Sequence, residues 1–224
     1  MFPKSFPIYR GCSLAVLCAA GLITSAAGAT TIPLTNPGFE TGSFGTAWGT
    51  TGSDVTVQPT TIPGGGSYNA QIANDGTEDG LGQFTSTAVQ AGTYTYTADL
   101  SVDSAAATAG YLAILAIGDT AQLEATPPTY SADTMVSSGL TAGQYTLETV
   151  TWAVAPGNSA IGQDIAVGFA DSGQGGTGGN MYFDNASLSF TAVPEPATLG
   201  LFAAAGATLL LLKRRAGRTA TRGL

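Results

Sequence analysis

The stretch Gly92-Thr93-Tyr94-Thr95-Tyr96-Thr97-Ala98-Asp99-Leu100-Ser101-Val102 decides the fold class of this 224-residue chain. From Tyr94 to Val102, apolar and aromatic residues occupy the even-numbered positions, and threonine, aspartate and serine occupy the odd-numbered ones. Side chains that alternate in this way lie on opposite faces of a β-strand, whereas a helix needs apolar residues three and four positions apart. Residues 92–102 are therefore predicted to form a strand with one face in a core.

Shorter patterns of the same kind lie on both sides of this strand. Turn-forming residues separate them, as in Pro63-Gly64-Gly65-Gly66, Ala142-Gly143 and Pro156-Gly157-Asn158. The chain is therefore predicted to be all-β, with a jelly-roll β-sandwich at residues 30–192. The predicted strands are residues 55–58, 69–73, 82–89, 92–102, 111–117, 145–155, 165–170 and 181–190.

The charges of the chain are divided between its ends and its middle. All seven Lys and Arg residues lie before residue 11 or after residue 212, the chain has no His, and every acidic residue except Glu195 lies within residues 30–192. The predicted domain therefore lacks the basic surface that nucleic acid requires. It also lacks the histidine base of a Ser-His-Asp or Cys-His site and the imidazole and thiolate ligands of zinc. Both cysteines, Cys12 and Cys18, lie near the N-terminus, so the domain forms no disulfide.

Residues 1–29 have the three parts of a secretory signal peptide. Lys4 and Arg10 precede an apolar run at 12–23, and small residues follow up to Ala29, after which we expect cleavage. A lipoprotein signal and an uncleaved anchor are the alternatives. The first is disfavoured because neither cysteine follows a run of small residues, and the second because the apolar run is short for a membrane span.

Residues 193–218 form a second signal. Pro194-Glu195-Pro196 comes first, an uncharged stretch at 197–212 follows, and Lys213-Arg214-Arg215 comes next. A helix of residues 197–212 is slightly short for the hydrocarbon core of about 30 Å, but it spans that core when its flanking residues adjust. The basic cluster then stays in the cytoplasm together with residues 219–224, which places everything upstream outside the cell membrane.

This order of parts closely resembles the PEP-CTERM sorting signal. The resemblance implies that Pro194, Glu195 and Pro196 are the recognition triplet and that the basic cluster, Lys213 to Arg215, stops transfer. It also implies processing by an exosortase, a membrane cysteine protease-transpeptidase of Gram-negative bacteria that make extracellular polysaccharide. The protein would be exported, anchored at the cell envelope by its C-terminal helix, and then found at the surface or in the extracellular matrix. An ordinary C-terminal anchor is the alternative.

Three segments of the domain, in order, resemble galactose-binding-like jelly rolls, including the carbohydrate-binding modules attached to glycoside hydrolases. The segments are Asn36-Pro37-Gly38-Phe39-Glu40 followed by Trp48, then Ala91-Gly92-Thr93-Tyr94-Thr95-Tyr96, and finally Met181-Tyr182-Phe183-Asp184-Asn185-Ala186-Ser187-Leu188. The closing motif of those modules usually carries two acidic residues, and the second of these positions is Asn185 in this chain.

A calcium ion commonly ties the first strand to the last in those modules, through the Glu of the opening motif and an Asp of the closing motif. The resemblance therefore implies a structural Ca²⁺ on Glu40 and Asp184. Independently, Asp184 shares parity with Ala186, Leu188 and Phe190, so its carboxylate is expected to face the core. Burial of a carboxylate is costly unless backbone N–H groups, protonation or a metal ion compensates, because this domain has no cation. The alternative is an aspartate at the end of the strand that faces solvent.

A second acidic run, Asp75-Gly76-Thr77-Glu78-Asp79-Gly80, also has the composition of a calcium loop. Its spacing departs from that of an EF-hand, and we interpret it as a solvated turn.

Aromatic residues give the domain a means of contacting neutral sugars, although most aromatics of a β-sandwich pack in its core. Trp152 alternates with Val150 and Val154 and is expected in the core. The remaining candidates are Trp48 and the tyrosines Tyr68, Tyr94, Tyr96, Tyr111, Tyr130, Tyr145 and Tyr182.

Together these observations predict a non-catalytic secreted surface or matrix protein that associates with extracellular polysaccharide. Two alternatives stay open. One is a structural matrix protein without a defined ligand, and the other is a glycan-active enzyme that uses two carboxylates as acid and base. The second is disfavoured because an acid with a raised pKa usually works in a cleft that also contains cationic groups, and this domain has none.

Overall fold

The structure is a computed structural model that describes residues 28–73, 75–109, 113–120, 131–136, 140–171 and 178–193. The predicted membrane helix at 197–212, the basic cluster and residues 219–224 lie outside these ranges, as does nearly all of the predicted signal peptide. Within the described ranges, no helix has both the length and the apolar character needed to cross a membrane.

Almost all regular structure in the described residues is β-strand, as predicted. One helix of six residues, α1 (Ser104–Ala109), follows the long central strand. The strands are β1 (Thr30–Ile32), β2 (Trp48–Thr51), β3 (Val55–Pro59), β4 (Tyr68–Ala73), β5 (Gly80–Ala88), β6 (Gly92–Val102), β7 (Ala113–Asp119), β8 (Ala132–Val136), β9 (Thr146–Val154), β10 (Asp164–Asp171) and β11 (Asn180–Ala192).

The strands form two antiparallel sheets. The first sheet has the order β3-β4-β11-β6-β9, with β1 also paired to β11, and the second has the order β2-β5-β10-β7-β8. From β4 onward the pairs are nested, because β4 pairs with β11, β5 with β10, β6 with β9 and β7 with β8. Two sheets connected by this nested pairing form a jelly roll. The all-β prediction is therefore confirmed, and so is the two-sheet architecture.

The core lies between the two sheets and is rich in aromatic rings. On β6, Tyr94 and Tyr96 are buried, and the alternating threonines Thr93, Thr95 and Thr97 are only half-buried, as the period of two predicted. Phe169 of β10 lies in the middle of this core. Its ring centroid is 5.7 Å from that of Trp48, 5.6 Å from that of Tyr96 and 4.6 Å from that of Phe183. Such ring pairs stabilise a fold beyond the contribution of buried area alone.

All eight predicted strands are present, with ends that differ by one or two residues in most cases. The sequence analysis missed β1, β2 and β8 and the helix α1. β1 has three residues and β2 has four, so neither is long enough to show a period of two. The helix begins where the Asp103 carboxylate accepts a hydrogen bond from the Ala106 amide (2.8 Å), a capping contact that stabilises even a short helix.

Candidate functional site

The loop after β1 is fixed by aromatic packing. Asn36 and Phe39 adopt left-handed backbone conformations (φ 49° and 56°), which turn the chain so that Phe39 enters the core. The Phe39 ring packs against Phe44 and Trp48, with centroid distances of 6.1 and 5.2 Å. The Trp48 indole N–H donates to the Thr35 carbonyl (2.9 Å), which holds the loop from its other side. The residue after Phe39, Glu40, is therefore held in a defined place.

Glu40 is exposed, and its carboxylate contacts the loop that precedes β4. The Ser67 amide donates to both of its oxygens (3.0 and 2.9 Å), and the Tyr68 amide lies 3.5 Å from Oε1. Gly66 allows this approach, because a Cβ at that position would lie 1.9 Å from Glu40 Oε1. The backbone of Gly66 also has a positive φ of 38°. Glu40 thus joins the opening loop to the loop before β4.

Asp184 lies next to a β-bulge in the last strand. Asp184 pairs with Asp99 of β6, but the next pairs along the strands are Ser187 with Thr97, so β11 contains one residue more than β6 in this interval. Asn185, within the bulge, has a positive φ of 50°. Such an extra residue bends the strand and changes which side chains face the core.

Because of the bulge, Asp184 does not lie on the face of β11 that was expected. Met181 and Phe183 face the core before the bulge, and Ala186 and Leu188 face it afterwards. The core-facing side chains are therefore at odd-numbered positions before the bulge and at even-numbered positions after it. Asp184 precedes the change and therefore lies on the outer side of its sheet, opposite the half-buried Asp99. The expected burial is correct, since Asp184 has no exposed surface, but the expected parity with Ala186, Leu188 and Phe190 is wrong.

Two glycine-containing loops cover Asp184 on this outer side. A Cβ built on Gly65 would lie 2.6 Å from Asp184 Oδ2, and one built on Gly38 would lie 3.2 Å from Asp184 Oδ1. The same Cβ on Gly38 would lie 3.4 Å from the Asn185 side-chain oxygen and 3.7 Å from Glu40 Cγ. The fold therefore brings Glu40 and Asp184 together beside Gly38, and the calcium ion expected on these two residues stays a prediction.

The carboxylate of Asp184 is only partly satisfied by hydrogen bonds. Oδ1 accepts from the Asn185 amide (2.7 Å), whereas Oδ2 is buried and has no hydrogen-bond partner of ordinary geometry. Burial raises the pKa of Asp184 from 3.8 to about 6, and the negative charges of Glu40 and Asp99 add to the increase. The Asn185 amide and the nearby Tyr145 hydroxyl lower this pKa in part.

The donor set fits a hard cation. Asp184 Oδ1, the amide oxygen of Asn185 and the Cγ atom of Glu40 lie around Gly38, and Oδ2 of Asp184 is buried without a hydrogen-bond partner of ordinary geometry. Calcium favours oxygen ligands of these kinds. Residues 30–192 contain no Lys, Arg or His that could neutralise the carboxylates in its place.

The aromatic candidates are mostly core residues, as expected. Trp48, Trp152, Tyr94 and Tyr96 are buried, and Tyr68, Tyr145 and Tyr182 are half-buried. Tyr111 and Tyr130 lie outside the described residues. The aromatic side chain that is most exposed in the described part of the chain is Phe84 of β5, with 46% of its surface accessible. The sequence analysis missed it, because one phenylalanine in a short strand gives no signal of the face on which it lies.

Phe84 lies on the outer face of the second sheet, among small residues. Phe84 pairs with Ala166 of β10, and Ala166 pairs in turn with Gly118 of β7. Its neighbours on the same face along β5 are Gly82 and the exposed Ser86. None of these side chains is large enough to cover the ring, so one surface of the Phe84 ring is left accessible between small, uncharged neighbours.

The six residues predicted to form the sorting signal lie outside the described residues, so their role in sorting stays a prediction. They are Pro194, Glu195, Pro196, Lys213, Arg214 and Arg215.

The chain resembles several solved structures in fold. A cyclase from Fischerella sp. TAU superposes with a TM-score of 0.57 at 19% sequence identity, over 74% of this chain and 100% of the cyclase. An apo form cyclase from Fischerella sp. gives 0.52 at 21% identity, over 75% and 100%. The module TmCBM61, solved in complex with β-1,4-galactotriose, gives 0.47 at 18% identity, over 69% and 95%.

No protein-family profile matches the sequence, and no curated protein matches it. At the identities of the two cyclases, structural likeness shows a shared fold and leaves activity open. The chain is therefore similar to the two cyclases in its fold.

Proposed function

We propose that this chain is a non-catalytic secreted protein of the cell surface or extracellular matrix, and that its β-sandwich associates with extracellular polysaccharide. We further propose that an exosortase-type membrane transpeptidase sorts it through the C-terminal signal. The observation that carries the binding part is the exposed ring of Phe84, whose neighbours across and along the strands, Ala166, Gly82 and Ser86, are small and uncharged. The sorting part rests on the order of the triplet, the apolar stretch and the basic cluster in residues 193–218.

The charge of the domain indicates which polysaccharides it would bind. Acidic side chains without any Lys, Arg or His between residues 30 and 192 repel a polyanion at ordinary pH. A neutral sugar polymer meets no such repulsion. Its rings can pack on Phe84, and its hydroxyl groups can bond with polar neighbours such as Ser86. We therefore expect neutral polymers to bind better than acidic ones.

A structural calcium ion held by Glu40 and Asp184 belongs to the same proposal. Its support is the buried Oδ2 of Asp184, which has no hydrogen-bond partner of ordinary geometry, and the position of Asp184 Oδ1, the Asn185 amide oxygen and the Glu40 side chain beside Gly38. Such an ion would neutralise the two carboxylates and tie the opening loop to the last strand, so its role is in stability.

Replacing Phe84 with alanine is expected to weaken binding to a neutral polysaccharide about fivefold, because one stacked ring contributes on the order of 1 kcal/mol. The measurement is the retardation of the full chain, kept in mild detergent, in native gels that contain increasing amounts of neutral or acidic polymers. Leu147→Ala is the matched control, since Leu147 is an apolar side chain that is 64% exposed on the other sheet.

The outcomes of this experiment separate the alternatives. Equal retardation of the Phe84→Ala and Leu147→Ala variants would contradict binding at Phe84. A wild-type chain that no polymer retards would support a structural matrix protein without a ligand. Release of reducing sugar from a retained polymer, abolished by removal of two carboxylates, would identify a glycan-active enzyme instead.

The sorting proposal predicts the ends of the mature protein. Mass spectrometry of protein recovered from a host that encodes an exosortase is expected to show an N-terminus at Thr30 and the loss of the residues that follow the Pro-Glu-Pro region. Substitution of Pro194, Glu195 and Pro196 by alanine should leave residues 197–224 attached, and Glu148→Ala is a control for loss of an acidic residue elsewhere. Recovery of a wild-type chain with both ends intact would contradict the proposal.

A further inference from the structure

A second group of carboxylates lies where the β2–β3 turn and the β4–β5 loop, which both connect the two sheets, come close together. Asp54 precedes β3, in the turn that leads from the second sheet to the first, and Asp75 and Asp79 lie in the loop that leads from β4 back to β5. One carboxylate oxygen of each residue lies within 4.8 Å of an oxygen of the other two. The Ala73 amide donates to the Asp54 carbonyl (3.0 Å), which holds the two segments side by side.

Asp79 gives an independent sign that a ligand is missing from this group. Its side chain is only 2% exposed, and its Oδ2 is buried without a hydrogen-bond partner. The backbone of Asp79 is fixed by hydrogen bonds in both directions with Asp171, since the Asp79 amide donates to Asp171 Oδ1 (2.8 Å) and the Asp171 amide donates to the Asp79 carbonyl (2.9 Å). The backbone from which this carboxylate extends is therefore fixed at the start of β5.

The chain accommodates this buried carboxylate at Gly52. A Cβ built on Gly52 would lie 1.1 Å from Asp79 Oδ1, and Gly52 has a positive φ of 82°. Burial raises the pKa of Asp79, and the negative charges of Asp75 and Asp54 raise it further. By contrast, the Thr77 hydroxyl (2.5 Å) and the Thr77 amide (2.8 Å) donate to Asp75 Oδ1 and lower the pKa of Asp75. The group thus combines ionised oxygens with one buried acceptor that has no donor.

We infer that Asp54, Asp75 and Asp79 form a calcium site distinct from that of Glu40 and Asp184. Two oxygens bound to the same Ca²⁺ at about 2.4 Å lie at most about 4.8 Å apart, which matches the spacing of this group. The exposed side of Asp75 leaves room for water ligands. The ion pins the β2–β3 turn to the β4–β5 loop, at both crossings between the sheets.

The inference departs from the interpretation of residues 75–80 as a solvated turn. Asp79 is buried, and the third ligand, Asp54, comes from a segment about twenty residues earlier in the chain, so the site follows from the fold and has no local loop signature. It depends neither on polysaccharide binding nor on the calcium ion proposed at Glu40 and Asp184.

The test counts bound calcium by equilibrium dialysis with radioactive Ca²⁺, on the full chain in mild detergent after removal of metals with a chelator. Asp75→Asn is the main variant, because Asp75 is exposed and its substitution leaves the core intact. Asp164→Asn is the matched control, since Asp164 is an exposed carboxylate opposite Ala88, at the other end of β5. Asp184→Asn reports on the other site.

We expect Asp75→Asn to bind one calcium ion fewer than the Asp164→Asn control, or to bind that ion at least tenfold more weakly. Asp184→Asn should retain the ion that Asp75→Asn loses. Equal calcium binding by Asp75→Asn and Asp164→Asn would overturn the inference, and so would a wild-type chain that binds no calcium at millimolar concentration. Loss of an ion only in Asp184→Asn would overturn this site and leave the one at Glu40 intact.

Discussion

Replacing Phe169 with alanine is expected to lower the free energy of unfolding by about 4 kcal/mol, within the range measured for buried Phe-to-Ala changes. Phe169 is 2% exposed and contacts the rings of Trp48, Tyr96 and Phe183. Trp48 and Phe169 belong to the second sheet, whereas Tyr96 and Phe183 belong to the first. Removal of the Phe169 ring therefore leaves a cavity between the two sheets. Thermal unfolding should show a midpoint lower by roughly 8 to 16 °C, at about 2 to 4 °C per kcal/mol for a domain of this size.

Phe84→Ala is the matched control for this substitution. Phe84 lies on the neighbouring strand β5, but on the outer face, and it is 46% exposed, so its loss should change the free energy of unfolding by about 0.5 kcal/mol or less. The same atoms are removed in both variants. Equal shifts in the unfolding midpoint would show that Phe169 is not at the centre of the core.

The strands were predictable where a long segment has one buried face. β6 was predicted with its observed ends, because Tyr94, Tyr96, Ala98 and Leu100 alternate with polar residues over eleven positions. β7 and β10 are buried along almost their whole length, so there only apolar composition and the flanking turns gave a signal. β1 and β2 are held by pairing with distant strands, which no local pattern reveals.

The proximity of Glu40 and Asp184 could be predicted from the sequence, but the geometry around Asp184 could not. Glu40 and Asp184 are brought together beside Gly38, as the resemblance to carbohydrate-binding modules implied. The face on which Asp184 lies was predicted wrongly, because the bulge at Asn185 depends on how β11 pairs with β6. A one-residue change of register moves every later side chain to the opposite face. Pairing between distant segments also explains why Asp54 was not associated with Asp75 and Asp79.

Asp184→Asn is expected to stabilise the calcium-free protein at about pH 7.5 by roughly 2 kcal/mol, although the same change should abolish stabilisation by calcium at that site. In the native state the pKa of Asp184 is about 6, above its ordinary value of 3.8, because burial and the charges of Glu40 and Asp99 disfavour the ionised form. The buried charge therefore destabilises the native state above pH 6. Asparagine keeps the acceptor for the Asn185 amide and places an N–H group towards the Tyr145 hydroxyl.

The dependence on pH follows from the same shift. Between about pH 6 and pH 4 the native state binds a proton that the unfolded state does not, so without calcium this residue adds stability as the pH falls. The limit of that gain is about 3 kcal/mol, at about 1.4 kcal/mol per pKa unit. With calcium bound, the carboxylate stays ionised and the gain disappears.

The measurement is the unfolding midpoint of the full chain at about pH 7.5 and about pH 5, in chelator and in millimolar calcium. Through Asp184, wild type should gain stability from acid only in chelator and from calcium mainly near neutral pH. Asp184→Asn should lack both of these gains and keep only the stabilisation that calcium gives at Asp54, Asp75 and Asp79. Asp164→Asn removes an exposed carboxylate of the same charge and controls for the general effect of lowering the negative charge of the domain. If Asp184→Asn and Asp164→Asn shift the midpoint alike under all four conditions, burial does not destabilise the ionised carboxylate of Asp184, and Glu40 and Asp184 bind no ion.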